Sequence, residues 1–189
     1  QTSKLLDQIY SWYDNYEFHR IYHNVNDFLT TELSAFYFDI LKDRLYTTAA
    51  SSPSRRSAQT AIYQILESLI CALAPIYSFT CDEIWKYLPS NQSRLESVHM
   101  ANFIPANQLV KGFSPEMIKK LENWEKLVQI RSIVLKNLED ARKSKVIGNS
   151  LEAKVILILG GQLDSILESY QQFLPSLFIV SQVELNCPT

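Results

Sequence analysis

The chain has 189 residues, of which 47% are hydrophobic, 20% charged and 12% aromatic, and its formal net charge is −2. This composition excludes a disordered tail, and the presence of only 4 glycines and 7 prolines excludes collagen-like and low-complexity chains. No apolar run approaches the roughly 20 residues that a membrane-spanning helix needs, and no signal peptide is visible at the start. The 3 cysteines (Cys71, Cys81 and Cys187) lack CxxC spacing, which argues against a disulfide framework and fits a reducing, cytoplasmic setting.

Helical periodicity dominates the first part of the chain. Apolar residues recur at spacings of three and four over residues 5–16, 18–29 and 36–45, which predicts successive amphipathic helices with a bend near Asn15. The intervening residues 30–34 weaken the pattern because their hydroxyl side chains compete for backbone hydrogen bonds.

Further start and stop signals follow in the next segment. Ser54, in a serine-rich loop, is a predicted N-cap for a helix that carries apolar residues to position 73 and ends near Pro75. Thr80 and Glu83 have the spacing of a capping box and predict a short helix that Pro89 stops. Residues 89–112 show no clear period and are predicted to be irregular.

The last third of the chain changes in character at Gly148. Ser114, followed by proline and glutamate, predicts the start of a long helix that reaches Lys143. Beyond Gly148, residues 155–159 predict a buried strand, residues 163–173 a helix and residues 177–180 a second strand. We therefore predict a mostly α fold, with an antiparallel helical bundle over residues 1–147 and a small C-terminal α/β appendage over residues 148–189.

Two basic stretches stand out in an otherwise acidic chain. Residues 42–60 carry 4 basic groups against Asp43 alone, and residues 111–154 carry 10 basic and 6 acidic groups. Such stretches can form a surface that faces phosphates. Helical Lys and Glu also solvate exposed faces in proteins that bind no nucleic acid, and charge alone favours this second interpretation.

Motifs for catalysis are missing from the sequence. The Gly160-Gly161 pair is not followed by a phosphate-binding loop, and neither HExxH nor Gly-x-Ser-x-Gly occurs. His19 and His23 are four residues apart on one helix face, a spacing that can hold zinc, but no third ligand is near them in the sequence. We predict no catalytic residues and no metal site in this chain.

Five sequence blocks, in a fixed order, carry a family resemblance. They are residues 13–22 (YDNYEFHRIY), 32–46 (ELSAFYFDILKDRLY), 55–63 (RRSAQTAIY), 73–85 (LAPIYSFTCDEIW) and 141–153 (ARKSKVIGNSLEA). Together they resemble the anticodon-binding region of isoleucyl-tRNA synthetases, which are class I aminoacyl-tRNA synthetases. Valyl and leucyl enzymes share this fold, but the residues of the second block are similar to those of the isoleucyl branch.

The resemblance implies that the chain is one part of a longer isoleucine–tRNA ligase that acts in protein biosynthesis. That ligase uses ATP and Mg²⁺, whereas this part is expected to bind no cofactor and to be inactive alone. The Arg142–Lys145 segment is superficially similar to the KMSKS loop, but its position at the end of a long helix assigns it to a junction instead. The implied partners are an isoleucine tRNA and the catalytic domain of the same parent chain, with no DNA and no membrane.

The resemblance also directs attention to basic residues that can bind tRNA. Arg55 and Arg56 are about 100° apart on a helix, so at most one faces a given phosphate, and either can instead pair with a carboxylate such as Asp39. For Arg44, an ion pair between helices and an RNA contact remain equal alternatives. The tRNA-binding candidates are Arg44, Arg55, Arg56, Arg142, Lys143 and Lys145.

Aromatic residues offer a second kind of contact, because rings can stack on unpaired anticodon bases. Most of them occupy helical stripes, which predicts that most are core residues. The candidates are Tyr16, Phe18, Tyr22, Phe36, Tyr37, Tyr46 and Trp85. The rival functions are a valyl- or leucyl-type anticodon-binding domain, a helical protein-interaction module without RNA binding, and a self-contained enzyme whose nucleotide pocket the sequence does not show.

Overall fold

The computed structural model describes residues 1–89, 94–161 and 163–186, with the side chains of Lys119 and Glu122 left aside. The chain divides into two compact units, Gln1–Gly112 and Phe113–Thr189, and each is described by itself. The predicted fold class is confirmed, since the described residues are mainly helical and include a small two-stranded parallel sheet. No helix among these residues is long and apolar enough to cross a membrane.

The first unit is built from helices that alternate in direction. They are α1 (Thr2–Asp14), α2 (Phe18–Asp27), a π-helix (Phe28–Phe38), α3 (Asp39–Tyr46), α4 (Pro53–Leu73) and α5 (Ser78–Tyr87), followed by 3₁₀ turns at Val98–Met100 and Ala106–Val110. The Tyr13 hydroxyl donates to the Ala72 carbonyl (2.9 Å), which joins the C-terminal ends of α1 and α4. Short connections join successive helices. The helical segment from α2 to α3, and later α5, therefore run opposite to α1 and α4.

The π-helix lies where the sequence predicts a weakened helical pattern. It connects α2 to α3 without a break, so that residues 18–46 form one continuous helical rod. The Thr30 hydroxyl donates to the Asn26 carbonyl at 2.9 Å and approaches the Asp27 carbonyl at 3.4 Å. These are the local side-chain contacts by which threonine competes with α-helical hydrogen bonding.

The starts of α4 and α5 differ from their predicted positions. α4 begins at Pro53, so Ser52 is the N-cap residue and the predicted cap, Ser54, is already helical. A proline at the first helical position fits because its fixed φ suits the helix and its missing N–H would have had no partner. α5 begins at Ser78, before the predicted Thr80. The Ser78 hydroxyl donates back to the Ala74 carbonyl at 3.0 Å.

The main core of the first unit lies between α1, α2, α4 and α5. Its fully buried members include Leu6, Ile9, Ile21 and Ala72, which occupy the apolar faces that the periodicity predicts. The Tyr10 hydroxyl crosses the core to donate to the Ile104 carbonyl at 2.6 Å, and burial raises the pKa of this phenol to about 12.

A partly buried arginine attaches the irregular segment after α5 to the bundle. Arg94 donates through Nη2 to the Tyr63 hydroxyl (2.7 Å), lies 4.0 Å from a carboxylate oxygen of Glu67, and places its guanidinium carbon 5.0 Å from the centre of the Trp85 ring. The Trp85 indole donates in turn to the Leu95 carbonyl at 2.9 Å. The sequence analysis did not single out Arg94, because its partners are 9 to 31 positions away.

Two cysteines of the first unit provide a test of this core. Cys71 and Cys81 are buried and free, and burial raises the pKa of each thiol to about 11. Because the reactive species is the thiolate, we expect neither thiol to react with Ellman's reagent near neutral pH until the chain is unfolded. The measurement uses a Cys187→Ser variant with and without guanidinium chloride, and rapid reaction of either thiol in the native protein would contradict the described core.

The second unit begins with the long helix α6 (Pro115–Lys143), whose predicted N-cap is confirmed, since Ser114 Oγ accepts from the Met117 N–H at 3.3 Å. It continues with a 3₁₀ turn (Ser150–Glu152), β1 (Lys154–Ile158), α7 (Asp164–Ser169), a 3₁₀ turn (Gln171–Phe173), α8 (Leu174–Phe178) and β2 (Gln182–Asn186). The strands are parallel, and the register pairs Lys154 with Gln182 and Ile158 with Asn186.

The prediction of a strand at residues 177–180 is wrong. Leu177 and Phe178 lie fully buried at the end of α8, Ile179 has a left-handed φ of 57°, and β2 begins only at Gln182. A short apolar run suits a buried turn of helix as well as a strand, and Pro175 occupies the first turn of α8 instead of ending a helix.

The two compact units do not divide at the predicted domain boundary, which lies between residues 147 and 148. They separate after Gly112, since α6 packs against α8 and the Arg131 Nε donates to the Leu177 carbonyl at 2.9 Å. Where the folding domains divide remains a prediction that folding of separate pieces would test.

Candidate nucleic-acid interface

Three of the predicted tRNA-binding residues belong to the connection between α3 and α4, and we call residues 39–58 the hairpin tip. Arg44 lies in the last turn of α3, and Arg55 and Arg56 lie in the first turn of α4. The apolar residues Ile40, Leu41 and Ala58 are buried here but are not members of the main core. The hairpin tip therefore packs largely on itself.

Helix lengths explain why the hairpin tip extends past its neighbours. α4 has 21 residues, whereas α5 has 10 and packs back along α4 from the opposite end. At 1.5 Å per residue, these lengths correspond to about 30 Å and about 15 Å. The basic end of α4 is thus left uncovered by α5.

Arg55 and Arg56 have different surroundings despite their adjacency. The half-buried Arg55 donates through Nη1 to the Thr48 carbonyl at 2.9 Å, which closes the loop just beyond α3. The alternative pairing of Arg55 with Asp39 is not found, since Lys42 Nζ holds that carboxylate at 2.6 Å. The Arg56 side chain is exposed and has no partner among the described residues.

The third arginine of the hairpin tip is more enclosed than Arg56. Arg44 is half-buried, and its positive charge partly offsets the effect of burial, which raises the pKa of Tyr37. Tyr46, two residues further on, is 82% exposed. The hairpin tip therefore presents the exposed guanidinium of Arg56 and the exposed ring of Tyr46, the two side-chain types that suit RNA phosphates and bases.

Paired substitutions can separate the roles of the two adjacent arginines. Arg55→Ala is expected to lower the free energy of unfolding by about 1 kcal/mol, because it removes a partly buried hydrogen bond. Arg56→Ala is expected to leave stability unchanged and to weaken tRNA binding. Urea unfolding and filter binding of both variants check this, and equal loss of stability in both would contradict the assigned difference.

The other three predicted residues lie at the end of α6 in the second unit. Arg142 donates to Glu139 Oε2 and to Ser150 Oγ, both at 2.9 Å, so it ties the helix to the following 3₁₀ turn. Lys143 and Lys145 are exposed, and neither side chain has a partner within the part of the chain that the structure describes. Of this cluster, the two lysines are the cations available for a phosphate.

The backbone that carries Lys145 has a defined geometry. Lys145 has a φ of 58°, its N–H donates to the Arg142 carbonyl, and the Val146 N–H donates to the Ala141 carbonyl, each at 3.0 Å. This is the Schellman arrangement that usually places glycine at the left-handed position. A lysine there incurs a local conformational cost.

The turn after Lys145 is fixed by a capping box that the sequence analysis missed. Glu152 Oε2 accepts from the N–H groups of Gly148 (2.9 Å) and Asn149 (3.3 Å), while Asn149 Oδ1 accepts from the Leu151 N–H at 3.1 Å. The Asn-x-x-Glu spacing is a signal that could have revealed it. The loop that presents Lys143 and Lys145 is therefore closed by its own hydrogen bonds.

The aromatic candidates fall into two groups. Phe36 and Trp85 are buried and Tyr37 is half-buried, as expected for core residues. The remaining four are exposed, which is more than the helical stripes predict: Tyr16, Phe18, Tyr22 and Tyr46. Tyr16 occupies a left-handed position with a φ of 59° between α1 and α2.

Metal ligands do not cluster in the described ranges. Within residues 1–89, 94–161 and 163–186, no group of three or more His, Cys, Asp or Glu side chains is arranged to hold a metal ion. His19 and His23 lie on the exposed side of α2. Cys187, the remaining thiol, lies outside the described residues.

Comparison with known proteins places these residues in context. Residues 1–157 match the family model described as the anticodon-binding domain of tRNA ligase. The chain is 47% identical over 186 residues to the isoleucine–tRNA ligase of Desulforamulus reducens, which covers 98% of this chain and 19% of that protein. The corresponding ligase of Syntrophotalea carbinolica is 48% identical over 174 residues, covering 92% of this chain and 18% of that protein.

A third relative shows the same proportions. The isoleucine–tRNA ligase of Persephonella marina is 46% identical over 187 residues, covering 98% of this chain and 19% of that protein. The chain thus spans about a fifth of the length of the curated relatives that it matches.

Proposed function

We propose that this chain, which belongs to the family of anticodon-binding domains of tRNA ligases, binds the anticodon arm of an isoleucine tRNA. The observation that carries the proposal is the family match over residues 1–157, together with relatives named isoleucine–tRNA ligase at 46–48% identity. The exposed cations at the hairpin tip and at the end of α6 support it, because RNA phosphates are bound by such groups.

The activity of the parent protein belongs to the same proposal. The parent is an isoleucine–tRNA ligase that attaches isoleucine to its tRNA with ATP and Mg²⁺ in the cytoplasm. We assign ATP, Mg²⁺ and isoleucine to domains outside this chain, since its sequence carries no phosphate-binding motif. The chain alone is expected to catalyse no isoleucine-dependent pyrophosphate exchange.

Within the parent, this chain acts by positioning the tRNA. Arg56 at the hairpin tip, Lys143 at the end of α6 and Lys145 just beyond it contact the phosphate backbone, while Tyr46 stacks on an unpaired base. Phosphate contacts fix the position of the arm without reading sequence, whereas stacked and hydrogen-bonded bases supply discrimination. Binding energy gained at the anticodon thereby helps the ligase to select its tRNA.

A filter-binding titration tests the proposal. We expect this chain to bind isoleucine tRNA more tightly than an unrelated tRNA, with log Kd rising linearly with log salt concentration as counterions are released. Tighter binding of valine or leucine tRNA would transfer the proposal to those ligases. The absence of both tRNA binding and salt dependence would favour a helical protein-interaction module.

A further inference from the structure

A groove in the first unit is not used by the proposed tRNA contacts, and we call it the α5 groove. It has a volume of about 530 Å³ and lies against one side of α5 and the following Val98–Met100 turn. Its lining residues are Ser78, Phe79, Asp82, Glu83, Lys86, Tyr87 and His99.

Large apolar side chains stand unusually exposed at this groove. Phe79 is 93% exposed, Tyr87 is 82% exposed, and the neighbouring Met100 is 62% exposed. Phe79, Glu83 and Tyr87 follow one another at intervals of four, so they share one face of α5 with the carboxylate between the two rings. Exposed apolar surface rimmed by polar groups is typical of a protein interaction site.

The charges of the α5 groove determine what it can bind. Asp82 is already occupied, because it accepts from Ser97 Oγ at 2.5 Å and pairs with Lys86 Nζ at 3.3 Å, and these contacts lower the pKa of its carboxyl. His99 Nε2 lies 3.3 Å from the Ser78 carbonyl. Glu83 is exposed and has no partner among the described residues, so the uncompensated charge of the groove is negative.

We propose that the α5 groove is a docking site for another part of the parent ligase chain, which inserts an arginine or lysine side chain beside Glu83 between Phe79 and Tyr87. The docking proposal rests on the proposed function, because it takes the parent to be a ligase like the relatives. Those relatives are about five times as long as the part of them that this chain matches, so a parent of that length has other segments to fill the groove. A cation both pairs with a carboxylate and binds the face of an aromatic ring, and arginine does so with the best geometry. A tRNA phosphate would instead be repelled by Glu83.

Hydroxyl-radical footprinting of the full-length parent without tRNA tests the docking site. We expect Phe79, Tyr87 and Met100 to be oxidised several-fold more slowly in the parent than in this 189-residue chain. Tyr46, as exposed as Tyr87, is the matched control, because it should react equally in both proteins and become protected only when tRNA is added. Loss of that tRNA effect would contradict the proposed function and leave the docking result standing.

Charge reversal in the parent makes the test specific. Glu83→Arg should restore rapid oxidation of Phe79 and Tyr87, whereas Asp27→Arg, a reversal at an exposed position of α2, should not. Equal oxidation of the groove residues in the parent and in the shorter chain would overturn the proposal. Protection that requires tRNA would identify RNA as the occupant, and protection of the shorter chain that grows with its concentration would identify a second copy, so either result would also overturn it.

Discussion

Replacing Arg142, Lys143 and Lys145 together by alanine is expected to weaken tRNA binding and to flatten its salt dependence. Each phosphate contact contributes about 0.7–0.9 to the slope of log affinity against log salt, so loss of the two lysine contacts lowers the slope by about 1.4–1.8. Discrimination between isoleucine tRNA and an unrelated tRNA should change little, because contacts with phosphates carry no sequence information. Filter binding at several salt concentrations measures both quantities.

The structure divides this triple substitution into two parts. Arg142 bridges Glu139 and Ser150, so its replacement also loosens the turn, whereas Lys143 and Lys145 are engaged with neither residue. We therefore expect a Lys143→Ala, Lys145→Gly variant to lower the slope by about 1.4–1.8 without loss of stability. Glycine at position 145 preserves the left-handed turn and relieves the conformational cost that lysine incurs there.

Three lysines elsewhere on α6 provide the control. Lys120, Lys126 and Lys136 are exposed, and their replacement removes the same formal charge from the same helix. Lys119, adjacent to Lys120, is left unchanged because the structure does not describe its side chain. If both triple variants behave alike, the cluster at the end of α6 has no special role and only diffuse electrostatic attraction remains.

What the sequence predicted correctly depends on interactions between near neighbours. The start of α6 at Pro115 follows from Ser114 and its proline, and the helices of the first unit follow from apolar spacing that packing then uses directly. The weakened pattern at residues 30–34 corresponds to the π-helix for the same local reason, since Thr30 bonds to carbonyls of the preceding turn.

What the sequence did not predict depends on tertiary context. The run at residues 177–180 has the composition of a strand, but packing against α6 makes its first part the end of α8. At the candidate interface, nothing in the neighbouring sequence distinguishes Arg55 from Arg56. The bond from Arg55 to the Thr48 carbonyl exists only because α3 and α4 meet at the hairpin tip.

Arg94→Met is expected to lower the free energy of unfolding by about 2–4 kcal/mol, the largest stability effect we expect from a single substitution. The Arg94 side chain is only 11% exposed, and its loss removes a hydrogen bond to the Tyr63 hydroxyl and the cation that lies 4.0 Å from Glu67. A hydrogen bond to a charged group contributes about 1.5–3 kcal/mol, and a cation over an aromatic ring adds roughly 0.5–2 kcal/mol. Methionine retains most of the apolar stem, so packing loss alone would cost far less.

Urea unfolding followed by circular dichroism measures this effect, with Arg56→Ala as the control for losing an exposed arginine. We expect the control to stay within about 0.5 kcal/mol of the parent sequence, as is usual for surface substitutions. Arg94→Lys should fall between the two, because a lysine keeps the charge near Glu67 but cannot lie as a planar group over Trp85. If Arg94→Met matched the control, the segment after residue 94 would have to be held mainly by two hydrogen bonds that do not involve Arg94. In one the Trp85 indole donates to the Leu95 carbonyl, and in the other Asp82 accepts from the Ser97 hydroxyl.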